Sequence, residues 1–182
     1  MKVISGIYKG RKIDGFSMDG TRPTMDRVKE SIFAMIQNYL ANSIVLDLFS
    51  GSGNLGIEAI SNGAKVVYFN DYNKKCVETI KKNLENFSIT QDNVVTNMDY
   101  LDALNYYKKQ NIKFDLVFLD PPYKEHITNE IILYLLENDI LNNNGLVICE
   151  VDKVEKFIND RITLIKEKRY GDKEVLIYKY GN

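Results

Sequence analysis

The chain has 182 residues, 45% apolar and 27% charged, enough for one domain with a substantial core and ordinary for a soluble globular protein. The start, "MKVISGIYKG", lacks the apolar run of a signal peptide, and no stretch reaches the length that spans a bilayer, so a cytoplasmic protein without membrane contact is expected. A formal net charge of −1 excludes a protein basic all over.

The average conceals an asymmetry. Residues 1–29 hold seven Lys/Arg against three Asp (+4), while the remainder holds 17 basic and 22 acidic residues (−5). A local basic arm of this kind can meet a polyanion.

In chain order, "KVISGIYKGRKI" reads as two short strands joined around Gly6 and Gly10. In "TRPTMDRVKESIFAMIQNYL", Thr24 can cap a helix whose apolar positions Val28, Ile32, Met35, Ile36 and Tyr39 recur at helical spacing. Strands are then expected at 44–49, 65–70, 93–96, 114–120 and 145–151, where β-branched and aromatic residues concentrate. Helical patterns lie between and after them, at 54–62, 73–86, 99–110, 128–139 and 152–159. This rhythm means βαβ units and a mostly parallel sheet covered on both faces. "ITLIKEKRY" and "EVLIYKY" flank "GDK" and read as a terminal antiparallel hairpin, giving seven strands. The expectation is a single α/β domain over 1–182, with an N-terminal extension (1–42) on a catalytic core (43–182). Cys76 and Cys149 form no C-x-x-C pair or His/Cys cluster; both are expected buried and reduced, and no metal site is expected.

"VLDLFSGSGNLG" (45–56) contains a G-x-G-x-x-G turn, with Asp71 downstream as in dinucleotide sites. Such a turn ordinarily receives a pyrophosphate. Asp47, near the end of the preceding strand, would repel that group and suit a ligand carrying an ammonium and a sulfonium, such as S-adenosylmethionine. Asp71 can accept bonds from both ribose hydroxyls, and Asp99, with Tyr100 beside it, can accept from the adenine amino group. Three acids at the ends of three successive strands occupy the ligand-binding edge of such a sheet. A nucleoside-triphosphate site is disfavoured, because the loop lacks the Lys and Ser/Thr of a P-loop.

The fourth strand ends in "DPPY", Asp120, Pro121, Pro122 and Tyr123. An exocyclic amine delocalises its lone pair into the base, so methylation requires turning the nitrogen toward the methyl donor. Asp120 can accept one amino hydrogen, a carbonyl of the rigid proline pair the other, and Tyr123 offers a face for stacking. Asp120 can also receive the released proton. His126, the single histidine, reads as a surface residue of the following loop.

These segments resemble the RsmD-type methyltransferases that modify N2 of a guanine in small-subunit (16S) ribosomal RNA. The matching stretches are "SGIYKGRKI" (5–13), "TRPTMDRVKESIF" (21–33), "VLDLFSGSGNLGIEAISNGA" (45–64), "FDLVFLDPPY" (114–123) and "KRYGD" (168–172). The resemblance implies a class I S-adenosylmethionine-dependent methyltransferase (Rossmann-like) fold. It also implies an RNA substrate presented by an assembled or partly assembled 30S subunit. Carried over, Asp47, Gly51 and Gly53 shape the methionine end of the cofactor site, Asp71 the ribose end and Asp99 the adenine end. Phe49, Asn54, Tyr72 and Tyr100 adjoin them and complete the expected cofactor set. Asn70-Asp71 stand where the family often has a hydrophobic residue before Glu, and Met98 precedes Asp99 where a glycine is common. Arg11, Lys12, Arg22, Arg27 and Lys29 are the candidate phosphate contacts. Three alternatives remain open: an adenine-N6 methyltransferase, an NAD-dependent oxidoreductase, and a noncatalytic RNA-binding assembly factor.

Overall fold

The computed structural model describes residues 1–15, 22–90, 92–121, 127–152 and 156–181, without the side chains of 22–25. Seven strands form one sheet in the order β3-β2-β1-β4-β5-β7-β6. The strands are β1 (Ile44–Asp47), β2 (Val66–Asn70), β3 (Val94–Thr96), β4 (Phe114–Leu119), β5 (Leu141–Asp152), β6 (Ile162–Tyr170) and β7 (Lys173–Tyr180). The first five pair in parallel; β7 inserts antiparallel between β5 and β6. That arrangement is the class I methyltransferase fold the sequence implied.

The helices are α1 (Arg22–Ile36), α2 (Asn54–Ser61), α3 (Lys74–Asn86), α4 (Tyr100–Lys109) and α5 (Thr128–Glu137). Alternation along the strands splits the core in two. On one face Val45, Val67, Phe69, Leu116, Phe118 and Ile148 pack with apolar residues of α1, α2 and α3. On the other, Leu46, Val117, Leu119, Val147 and Cys149 pack with α4 and α5. Both cysteines are free and buried.

Three expectations are corrected. β5 continues through Asp152, each residue from Leu146 pairing with β7, and residues 156–158 have no regular structure, so no helix spans 152–159. The ladder with Lys173 takes Asp152, the first residue that the helical pattern claimed. Helix α1 begins at Arg22, so Thr24 lies within its first turn and does not precede it. The N-terminal strand pair is reduced to one antiparallel bridge, Lys2↔Lys12, flanked by Val3 N–H donating to Arg11 O at 2.9 Å and Gly10 N–H to Val3 O at 2.8 Å.

That small hairpin is bolted to the core by buried polar groups. Glu58 of α2 is fully buried; its carboxylate accepts from Ile4 N, Ser5 N and Ser5 Oγ at 2.8–3.1 Å and pairs with Lys29 of α1 at 3.0 Å. Asn83 of α3, also fully buried, exchanges two bonds with the backbone of Asp14 and donates to Ser52 O at 3.0 Å. The basic extension is thereby fixed to the glycine loop itself.

Candidate active site

The sheet reverses direction of growth between β1 and β4, and ligands of such sheets bind beyond the carboxyl ends at that point. Asp47 ends β1 and Asp120 follows β4, so both acids flank the switch point.

The glycine loop is built as its sequence demands. Gly53 adopts φ 80° as the residue before α2, a left-handed conformation that favours glycine. Gly56 faces the Phe69 ring so closely that a Cβ there would lie 2.2 Å from Cε1. Helix α2 therefore packs directly on β2. Carboxylates hold one amide of the helix and one of the loop: Asp47 Oδ2 accepts from Gly56 N at 3.0 Å, and Asp71 Oδ2 from Gly51 N at 2.8 Å. Asp47 is buried, and burial pushes its carboxyl up to about 7, with the Gly56 amide opposing and Asp71 adding.

Beside the loop opens a cavity of about 240 Å³, lined by Leu48, Phe49, Asn70, Tyr72, Met98, Asp99 and Tyr100. The Phe49 and Tyr100 rings lie 5.9 Å apart, tilted by 40°, on its wall. Asp99 caps α4 by accepting from Leu101 N at 3.0 Å. Four expected residues, Phe49, Tyr72, Asp99 and Tyr100, line this one space. Asp47, Gly51, Gly53, Asn54 and Asp71 belong to the adjoining loop. Asn54 opens α2 and accepts from Lys29 Nζ at 2.7 Å, so its side chain serves the hairpin junction.

Sequence reasoning missed Leu48, Asn70 and Met98. Asn70 is buried; its amide donates to Leu48 O at 3.2 Å and Met98 O at 3.1 Å, and its oxygen accepts from Thr96 Oγ1 at 2.8 Å. Asn70 thus ties the ends of β1, β2 and β3 around the cavity. A polar side chain at the end of an otherwise apolar strand was the available signal.

Asp120 retains some exposure as a residue, yet burial pushes its carboxyl up to about 8, Glu150 adding and Lys173 opposing. Pro121 is buried beside it. Pro122, Tyr123 and His126 lie outside the described residues.

Of the five candidate phosphate contacts, Lys29 is corrected. It is 2% exposed, paired with Glu58 and donating to Lys2 O and Asn54 Oδ1, each at 2.7 Å, so no donor is offered to solvent. Arg11 stacks over Phe87 at 4.4 Å and donates to the carbonyls of Asn86 and Phe87 at the end of α3. Lys12 and Arg27 are exposed; Arg22 is described in its backbone alone.

A larger cavity, about 390 Å³, opens at the opposite edge among Lys113, Asp139, Asn142, Asp160, Arg161 and Tyr180. There Lys113 pairs with Asp139, and Arg161 donates to Tyr180 at 3.1 Å. It lies away from the switch point and from every residue of the loop. Among the described residues no His/Cys/Asp/Glu group could hold a metal, and no helix is long and apolar enough to cross a membrane.

Sheet order, glycine loop and acid-rimmed edge together define a class I methyltransferase. The chain belongs to the family described as Conserved hypothetical protein 95, matched over residues 1–179, and the resemblance to RsmD-type proteins is thereby shown. It is 38% identical to the Ribosomal RNA small subunit methyltransferase D of Haemophilus influenzae, over 98% of this chain and 93% of that one. It is 33% identical to the protein of the same name from Buchnera aphidicola, over 97% and 91%. Among solved structures, the yhhF protein of Escherichia coli superposes with a TM-score of 0.86 at 28% identity, covering 100% of this chain and 98% of the other. The SMU.776 structure, complexed with SAH, shares the fold at a TM-score of 0.69 and 20% identity over 81% of this chain and 49% of that one.

Proposed function

We propose that this protein transfers a methyl group from S-adenosylmethionine to the exocyclic N2 of a guanine in small-subunit ribosomal RNA. The observation that carries the reading is the pairing of two sites at one switch point: an acid-braced glycine loop with an aromatic-lined cavity, and Asp120 at the end of the neighbouring strand. The relatives named above supply the RNA class.

The residues suit the donor. Two buried carboxylates, Asp47 and Asp71, rim the loop, which disfavours a pyrophosphate and suits an ammonium. The cavity between Phe49, Tyr72 and Tyr100 has the flat apolar walls a purine needs, with Asp99 at its rim as an acceptor. When bound, S-adenosylmethionine supplies an electrophilic methyl on a positively charged sulfur.

The chain's own residues do the rest. Asp120 accepts one amine hydrogen and turns the nitrogen lone pair toward the methyl; a carbonyl of the proline pair accepts the other, and Tyr123 stacks on the base. The nitrogen becomes acidic only as the new bond forms, so Asp120 receives the proton late, without acting as a strong base beforehand. Alignment is the larger contribution. Lys12, Arg27, Arg22 and the outer face of Arg11 contact RNA phosphates, and an assembled or partly assembled 30S subunit presents the base.

The test is transfer of labelled methyl to unmodified small subunits and to naked RNA, with nucleoside analysis of the product. N2-methylguanosine is expected. N6-methyladenosine overturns the choice of base, and the absence of any labelled nucleoside overturns the substrate class.

A further inference from the structure

On the α1 side of the sheet lies an ion pair that the mechanism above does not use. Lys173 of β7 donates to Glu150 of β5, and the two side chains are only 19% and 11% exposed. Strand register sets this pair beside Asp120. Leu119 pairs with Cys149 in parallel, so the next residues, Asp120 and Glu150, are neighbours where the ladder ends. Adjacent strands are about 4.8 Å apart. Glu150 pairs with Val175, and Lys173 stands two residues earlier on the same face, a diagonal neighbour within reach of a long side chain. Phe118, Ile148 and Val175 all face the α1-side core, and alternation carries Asp120, Glu150 and Lys173 to that face as well.

The charged groups acting on Asp120 are Asp47 from β1, Glu150 and Asp152 from β5, and Lys173 from β7. Lys173 is the one cation among them. Burial and three neighbouring carboxylates already raise the Asp120 carboxyl; without Lys173 they would raise it further, and a protonated Asp120 cannot accept a proton from the substrate.

We infer that Lys173, seated beside Asp120 by its ion pair with Glu150, is a positioning residue for methyl transfer, favouring the carboxylate form of Asp120 that takes the proton lost by the amine. This rests on the reading of Asp120 given above. The nitrogen lone pair forms the bond to carbon, the carbon–sulfur bond breaks with its electrons remaining on sulfur, and the nitrogen's proton passes to the Asp120 carboxylate. Glu150 and Lys173 are unchanged; they act through Asp120 and touch no reacting atom.

The variants E150Q, K173M and K173R carry opposite expectations. Single-turnover transfer is followed against pH, and Asp120 titration is followed by carboxyl carbon NMR of the same proteins, the signal assigned with D120N. K173M moves the acidic limb of the rate profile and the NMR midpoint upward by about one pH unit, so transfer below the midpoint falls about tenfold. E150Q moves both downward, and K173R stays near the wild type. Equal loss of rate at every pH with an unmoved midpoint in both E150Q and K173M overturns the inference. If one variant fails to fold, the sign of the other's shift decides. A wild type that transfers no methyl group defeats the reading of Asp120, whereas the NMR midpoints still decide whether the pair governs that carboxyl.

Discussion

Oδ2 of Asp71 accepts the backbone N–H of Gly51 at 2.8 Å, while its Oδ1 accepts that of Asn73 at the same distance. One carboxylate therefore spans from the glycine loop to the N-cap of α3. Each oxygen keeps a further lone pair, so the group that braces the loop can also meet a ribose hydroxyl.

Replacing Asp71 with Ala removes both bonds at once. Charge-assisted hydrogen bonds contribute about 1.5–3 kcal/mol each, so S-adenosylmethionine affinity is expected to fall about 10- to 100-fold even if part of the loss is relieved by water. Calorimetric titration checks this. An unchanged Kd means that the loop is held without Asp71 and that the ribose does not meet it.

Gly56 tests the close packing of α2 on β2. In Gly56→Ala the new Cβ meets the Phe69 ring at 2.2 Å, and overpacking of that kind destabilises by about 1–3 kcal/mol. For a chain of this length, Tm should drop by roughly 3–10 °C. Adding Phe69→Leu should recover part of the loss, whereas simple addition of the two losses would contradict the contact.

Much of the fold was legible because the apolar runs are short, β-branched and regularly spaced. All five parallel strands fall where "IVLDLF", "KVVYFN", "NVVT", "FDLVFLD" and "GLVICEV" predicted them, with ends shifted by up to four residues. The helix expected at 152–159 failed at its first residue because helical spacing of apolar residues cannot report a long-range ladder, and the pairing of Asp152 with Lys173 is part of one. Lys29 failed for a different reason. A lysine near a basic arm was read as surface, yet position 29 falls on the same helical stripe as Val28, Ile32 and Ile36, which is the stripe that faces the core. The partner that makes burial tolerable, Glu58, is 29 residues away and invisible to local pattern.

That buried pair has a measurable consequence. Lys29→Met leaves the Glu58 carboxylate buried with only its bonds from residues 4 and 5, and loss of one partner from a buried pair typically destabilises by about 3–5 kcal/mol. The urea midpoint should fall accordingly. K12A and R27A should leave that midpoint in place and instead lower the salt slope of RNA binding by about 0.7–0.9 each. A lowered salt slope in a folded Lys29→Met protein would restore Lys29 as a phosphate contact.

Asp47 and Asp120 give the stability a sign against pH. Burial raises both carboxyls, to about 7 and about 8, above an unfolded value of about 3.9. Between those limits the folded state holds more protons than the unfolded one, so stability is greatest near pH 4 as far as these two groups are concerned and declines as pH rises through 8. D47N and D120N should each flatten that decline in urea unfolding measured from pH 5 to 9. A slope unchanged in both variants would mean that other groups set it.

The most direct test of the account is D120N, which preserves side-chain shape while removing the proton acceptor. S-adenosylmethionine binding by calorimetry and single-turnover methyl transfer to small-subunit RNA should be measured on the same preparation. The account predicts a Kd within about threefold of wild type and a transfer rate lowered by about 10²- to 10⁴-fold, the range expected for loss of a positioned acid–base group. Transfer at the wild-type rate would contradict it, because Asp120 would then neither orient the amine nor take its proton.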